Sequence, residues 1–399
     1  MIIKKAQTIR RLALFFAIMA SGGTLLIPRE LWVILTAIFA LASLKWRVTL
    51  NLSDRLIIVW IIGVVTLQFA IEGYANPASL LSKTVTYLAA FLLLKVYVLN
   101  GAQSLRQDLF AILSLFALQA IITSALGNTA PGIFSSIAIG ELVYYHIAFV
   151  FNFHYVHNIV TPIIRPNGLF YEPGVYQIYL SIFLFLSLFW KRDLRWGAVA
   201  LCAVLTTLST IGVIIASIQV IAFSVSYILK ARGPKLVLGI YLIPVATAAI
   251  LFLAFDNAND KILGDGRGSA IARQFDLQVG LNIVADNPLF GIGFATDAYR
   301  ARSRQLTSLV MDLPEHDAED RANSNGLLQI PISIGIPLAL PLFIALFRQQ
   351  FFEKRVIFVA TVLLSLGGQS LSFTVFFLFL FFSGMMLPPK RARTTINAV

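Results

Sequence analysis

The residues best suited to chemistry in this 399-residue chain lie in two polar stretches. In the first, Arg165-Pro-Asn-Gly-Leu-Phe-Tyr-Glu172-Pro-Gly174, an arginine precedes a glutamate by seven positions. A guanidinium is a planar fork that matches phosphate oxygens two at a time. A carboxylate can take a proton from a hydroxyl, or pair with the arginine and merely pin the loop. Local sequence leaves both uses open. The second stretch, 256–325, holds seven basic and eleven acidic residues, ending near Glu315-His316-Asp317-Ala318-Glu319-Asp320. Asp317, Glu319 and Asp320 offer oxygens to a hard cation. Three carboxylates so close in a polar loop read better as a solvated face, so no metal is expected. The one cysteine, Cys202, lies in an apolar run, which excludes a disulfide framework or thiolate metal site.

The elements that carry these stretches are set by composition. Hydrophobic residues make up 58% of the chain and charged residues 13%, with mean hydropathy +0.83. Soluble domains are about a quarter charged. A soluble enzyme, a nucleic-acid-binding protein and a disordered chain are all excluded. A crossing needs about 20 mostly apolar residues, and candidates stand at 11–28, 31–45, 56–71, 79–99, 109–126, 173–190, 236–255 and 326–347. Two further blocks, Arg195 to Lys230 and Arg355 to Lys390, each enclose 34 residues. One helix of that length would reach about 51 Å, so each block is expected to be a helical hairpin. Ser209, Thr210 and Gly212 would break the first; Gly367, Gly368 and Ser370 would break the second. The fold expected is an all-α polytopic membrane protein of about 12 helices forming one integral domain over 1–399.

Charge orients it. With the N-terminus inside, 21 of the 31 Lys and Arg residues fall on the cytoplasmic side, as short loops require. Both termini are then cytoplasmic, and the first helix is expected to be an uncleaved anchor rather than a signal peptide. The remaining basic residues are Arg29, Lys83, Arg165 and seven in 256–325. Lys83 is the ionisable residue set inside a span. Two long loops, 127–172 and 256–325, face the periplasm. The first holds an aromatic run, Ile137 to Val156, with His146 and His154 inside it and His157 next to it, expected as a helix lying at the outer interface. A full crossing there would invert every later loop. The second is expected to cap the membrane domain. It would hold an amphipathic helix from Arg267 to Asp286, a turn at Asn287-Pro-Leu-Phe-Gly-Ile-Gly-Phe294, and a short basic helix from Tyr299 to Gln305.

RPNGLFYEPGVYQIYL resembles the arginine–glycine–phenylalanine–glutamate–proline signature of Wzy-type O-antigen and exopolysaccharide polymerases. The stretch from Arg273 to NPLFGIGF is similar to a segment of the wider O-antigen ligase-like superfamily, with Arg273 fifteen residues before Pro288 as in that pattern. NSNGLLQIPISIGIPLALPLF is similar to the family's His-Asn-x-x-Leu approach to a following helix, but Ser324 stands where the family has its histidine. His316 lies eight residues upstream. The resemblance implies metal-independent glycosyl transfer from an undecaprenyl-pyrophosphate-linked glycan in the bacterial inner membrane, with the active site facing the periplasm and no cofactor. Arg165 and Arg273, helped by Arg267 and Arg300, would hold the pyrophosphate as its charge develops. Glu172 or His316 would take the proton of the acceptor hydroxyl. The partners implied are a lipid-linked donor and acceptor, membrane lipid and a chain-length regulator protein, without nucleic acid. No nucleotide-binding glycine loop appears on the cytoplasmic side, as suits a donor already activated on lipid.

Two other readings compete. A ligase of the same superfamily would carry the glycan to a lipid A core or a protein with the same site logic. A transporter or flippase would show related halves and ionisable groups at mid-membrane. Here the halves look unalike and the polar mass is gathered outside the spans.

Overall fold

The computed structural model describes residues 2–72, 77–139, 142–156, 163–228, 267–310 and 323–386. The span expected at 236–255 and the acidic cluster around His316 lie outside the described residues. Among the described residues there are thirteen α-helices and one small sheet.

Five helices come first: α1 (Ile2–Gly22), α2 (Arg29–Ser43), α3 (Leu52–Glu72), α4 (Pro77–Asn100) and α5 (Ala102–Thr129). After the sheet come α6 (Pro173–Phe185), α7 (Leu194–Thr206) and α8 (Thr210–Ile228). Then follow α9 (Arg267–Asp286), α10 (Thr296–Val310), α11 (Gly326–Arg348), α12 (Arg355–Gly367) and α13 (Val375–Met385). Six helices are long and apolar enough to cross a membrane: α3, α4, α5, α8, α11, and α6 with the π-helical turn that extends it to Lys191. The protein is a multi-pass membrane protein. Ile214, Ile218, Ile221 and Val225 form an exposed stripe along α8. Against lipid tails such a stripe carries no penalty.

Both apolar blocks expected as hairpins are broken into two helices. The first breaks at Thr207–Ser209 between α7 and α8, with Leu208 in the left-handed region (φ 51°). The second breaks between Gly367 and Val375. At the heart of the bundle, α6 and α13 are buried almost residue for residue. With 11 residues α13 spans about 16 Å. A helix that is apolar all round must be enclosed by others, and α13 packs on α1, α3, α4 and α11. Phe376 meets Tyr179 edge-on at 5.5 Å, tying α13 to α6.

The interfacial helix expected in 127–172 is not formed. The segment folds as a four-stranded antiparallel sheet: β1 (Ser135–Ile139), β2 (Leu142–Ile147), β3 (Phe151–Val156) and β4 (Ile163–Pro166), in that order. The physical reason lies in the residue types. Phe151, Phe153 and Tyr155 alternate with Asn152 and His154, a period of two, and aromatic and β-branched side chains favour a pleated surface over a helix. Phe153 is fully buried against Phe134 and Ile164. We call this the sheet end of the molecule.

One long helix is interrupted. In α11 Gly335 adopts φ 72°, ψ 168°, a conformation open to glycine and foreign to a helix. Pro337 has no N–H to bond the Ser333 carbonyl one turn back. That carbonyl accepts instead from Gly293 N–H at 3.2 Å, while Ile332 accepts from Ile292 N–H at 2.8 Å. Ile336 N–H donates to the Pro288 carbonyl at 2.8 Å. The expected turn 287–294 is therefore threaded into the break of α11. Its close approach leaves no room for a Cβ on either Gly291 or Gly335.

Candidate functional site

At the sheet end, β4 delivers Arg165, whose Nε donates to the Thr207 carbonyl at 3.1 Å. Thr207 follows the last turn of α7, where carbonyls have no helical partner, so the guanidinium stem closes off that helix. Burial lowers the Arg165 pKa from its ordinary value, neighbouring Glu172 opposes this, and Arg273 adds to it. The guanidinium keeps its charge, since arginine is not deprotonated in proteins. Two charged groups from other elements thus bear electrostatically on Arg165 of β4: Glu172 at the N-cap of α6, and Arg273 on α9. Glu172 is exposed and spends no side-chain hydrogen bond on capping its helix. The Arg273 guanidinium lies 3.8 Å from where a Cβ on Gly368 would stand.

The floor beneath these groups is built from the helix breaks. Gly174 in the first turn of α6 lies against the Gln369 amide, and Gly326 at the start of α11 lies against the Gln369 and Leu366 carbonyls. Ser372 Oγ donates to the Gly326 carbonyl at 2.6 Å. Gly212 in α8 packs on the Gln177 side chain of α6. The N-termini of α6, α8 and α11 are thereby drawn together around the α12–α13 break. Helix N-termini carry partial positive charge, and two arginines add whole charges. The arrangement suits an anion with several oxygens.

A polar wall stands beside it. His154 sits opposite Arg165 in the β3–β4 pairing. Its Nδ1 lies 2.9 Å from Asn167 Oδ1, while Asn167 Nδ2 donates to the Tyr171 carbonyl at 2.8 Å. That second bond orients the amide so that its oxygen faces the ring. Nδ1 must then carry the proton, leaving Nε2 the unprotonated nitrogen of the neutral ring. Burial, and secondarily Arg165, lowers the His154 pKa from its ordinary value, while Asn167 opposes this. Tyr144, close to Tyr171 and Glu172, is held protonated by burial first and by those neighbours second.

The helix that carries Arg273 is tied to its neighbours. Asp276, one turn along α9 and fully buried, accepts from Tyr299 Oη of α10 at 3.1 Å. It also accepts from Ser324 N–H at 3.1 Å and Ser324 Oγ at 2.5 Å. Ser324 therefore locks the approach to α11 onto α9. Asn325 then caps α11 by accepting from Leu327 and Leu328 N–H.

Of the six residues expected to act, Glu172 and Arg273 lie within electrostatic reach of Arg165. Arg300 lies on α10 with its Nη1 3.6 Å from Asp297, in a separate pair. Arg267 opens α9, and its side chain, like all of His316, lies outside the described residues. Among the described residues no group of three or more His, Cys, Asp or Glu could hold a metal. Asp276 and Gln369 carried no motif in the sequence. The alternation of His154 with Phe153 and Tyr155, read as a strand, was the signal that could have set it beside Arg165.

Residues 196–317 match the family model described as O-Antigen ligase. The match supports the O-antigen ligase-like superfamily and covers α7, α8, α9 and α10, including Arg273. No curated protein and no solved structure matches the chain.

Proposed function

We propose that this O-antigen ligase-like chain is a polymerase of undecaprenyl-pyrophosphate-linked glycan repeats, working at the periplasmic face of a bacterial inner membrane. The placing of Arg273 against the Gly368 turn, on a floor of helix N-termini and within electrostatic reach of Arg165, as Glu172 is, carries the reading. In the reaction the acceptor hydroxyl attacks the anomeric carbon of the donor glycan. The new glycosidic bond forms as the bond to the pyrophosphate oxygen breaks. Negative charge grows on the departing lipid pyrophosphate, where Arg165 and Arg273 stabilise it, with Arg267 and Arg300 as helpers further along 256–325. Glu172 accepts the hydroxyl proton; His316 is the alternative base. The transfer is metal-independent and uses no cofactor.

The family description favours a second reading, ligation of glycan to a lipid A core or a protein. Purified chain in proteoliposomes, supplied with lipid-linked repeats alone, separates the two. A polymerase lengthens the glycan in steps and releases polyprenyl pyrophosphate. A ligase does nothing until a lipid A core or protein acceptor is added. A transporter moves lipid-linked repeats across the bilayer without lengthening them. Arg165→Lys should fail almost as badly as Arg165→Ala, because a point charge cannot reproduce the fork. Normal long-chain product from the lysine variant would reduce Arg165 to a structural role.

A further inference from the structure

A second cationic site lies away from Arg165 and Arg273. A cavity of about 400 Å³ opens between the first turn of α2 and the start of α4 and is closed by Phe373 from the α12–α13 break. Arg29 and Lys83 both line it, with Ser79 and Ser82 beside them. Neither cation forms an ion pair within 4 Å among the described residues. Arg29 Nε donates to the Ala20 carbonyl at the end of α1 at 2.8 Å. Lys83 Nζ stands 5.1 Å from the Phe294 ring centroid. One carboxylate, Glu30, also lines the cavity at its exposed rim, without an ion pair within 4 Å to either cation; Glu72 accepts from Phe294 N–H. Two half-buried cations share this space with a single carboxylate and no ion pair among the three, which leaves an excess of positive charge that an entering anion would offset.

Size and position narrow the occupant. Cavities of about 300–1,000 Å³ hold small-molecule groups. The flanking elements all reach the sheet end: the start of α2, the start of α4 and the α12–α13 break that also floors the arginine site. Phe373 packs edge-on to Phe294 at 4.7 Å, so the cavity lies against the last residue of the segment threaded into α11. The shared chemistry indicated is a phosphate group on a lipid.

We infer that the Arg29–Lys83 cavity is a second lipid-phosphate site, which holds the pyrophosphate of the acceptor glycan while Arg165 and Arg273 hold that of the donor. This rests on the polymerase reading, in which two lipid-linked glycans must be present together. The two pyrophosphates need different treatment. The donor's must be stabilised as it leaves, whereas the acceptor's must only be held so that its distal sugar reaches the donor. A lysine beside an aromatic ring and an arginine anchored on a carbonyl suit holding.

Native mass spectrometry of the detergent-purified chain, titrated with a glycan-free polyprenyl pyrophosphate, tests the site without requiring turnover. Two equivalents should bind. Lys83→Gln and Arg29→Gln should each weaken one equivalent by about 10- to 100-fold, the worth of a charge-assisted contact. Lys83→Arg should retain both, which also shows that position 83 tolerates change without loss of fold. Arg165→Ala should weaken the other equivalent. A single equivalent in the wild type, or two unchanged in Lys83→Gln, would overturn the proposal. Displacement of the Lys83-dependent equivalent by phosphatidylglycerol at equal affinity would overturn the acceptor assignment, identifying a site for bulk lipid. Two-site binding in a chain that never lengthens glycan would refute the polymerase reading and leave the phosphate site standing.

Discussion

The two ends of the bundle use the same cationic side chains in opposite ways. Away from the sheet, each buried cation meets a carboxylate. Asp108 on α5 is fully buried and takes Arg10 Nε at 2.6 Å and Arg11 Nε at 2.9 Å from α1, with Tyr97 Oη at 3.2 Å. Lys95 on α4 meets Asp54 on α3 at 2.7 Å, and Arg106 meets Glu353 at 2.8 Å. These contacts clamp α1 to α5, α3 to α4, and α5 to the α11–α12 connection. At the sheet end Arg165 and Arg29 spend their Nε on backbone carbonyls, and Lys83 faces an aromatic ring. A cation with a carboxylate in contact is already answered; one anchored through a carbonyl keeps charge to offer. The difference fits a rigid end opposite the end proposed to bind anions.

The largest expected effect tests whether the sheet end does chemistry. Glu172→Gln keeps shape and hydrogen bonding but removes a proton acceptor, so turnover should fall by about two to four orders of magnitude. Protein level and binding of lipid-linked donor should change little. Near-normal polymer from this variant would move the base elsewhere, with His154→Asn as the next substitution to assay.

Asp108→Asn probes the clamped end. Removing one partner from a buried ion cluster leaves uncompensated charge and costs about 3–5 kcal/mol. Thermal unfolding in detergent should shift down strongly, while activity per folded molecule stays constant. Reduced specific activity at an unchanged unfolding temperature would break the division between the ends.

Smaller effects sharpen it. Ser324→Ala removes a hydroxyl that holds Asp276 and should cost about 1 kcal/mol of stability. Its sharper signature should be a lower kcat at unchanged donor KM, because Arg273 stands one turn from Asp276. Arg106→Gln at the other end breaks a pair whose Glu353 is 74% exposed, so its effect should stay within about 1 kcal/mol and shrink further in salt.

The smallest expected effect is a pH slope. The folded-state pKa of His154 lies below the unfolded value near 6.5. The folded state therefore binds fewer protons than the unfolded one, and its stability falls as pH drops through that window. The loss should be modest, and it should vanish in His154→Asn. A slope that survives the substitution would assign the titration to another group.

Much of this architecture was legible in the sequence, for reasons tied to particular residues. The 195–230 and 355–390 blocks were too long for one helix each, and Ser209, Gly367 and Gly368 marked where they break. Arg165 and Glu172 share one short segment, so their nearness could be read directly, whereas Arg273 was reached through the family resemblance. The sheet was missed because an aromatic run in a membrane protein invited an interfacial helix, and its period of two went uncounted. The floor was illegible for a different reason. Gln369, Ser372 and Gly326 meet only after four distant helices pack, and before that each looks like an ordinary turn residue. Lys83 stood out as a charge inside a span, but nothing in the sequence paired it with Arg29.

The break in α11 reaches beyond geometry. Because Pro337 frees the Ser333 carbonyl and Gly293 takes it up, the loop and the helix share one backbone ladder. A chimaera that exchanges 287–294 with a relative's loop while retaining this α11 would leave several main-chain groups orphaned in an apolar setting. The transplantable module is therefore the loop together with the helix from 326 to 348. Sequence change in one part would have to be matched in the other, so lineages should inherit the two as a linked block.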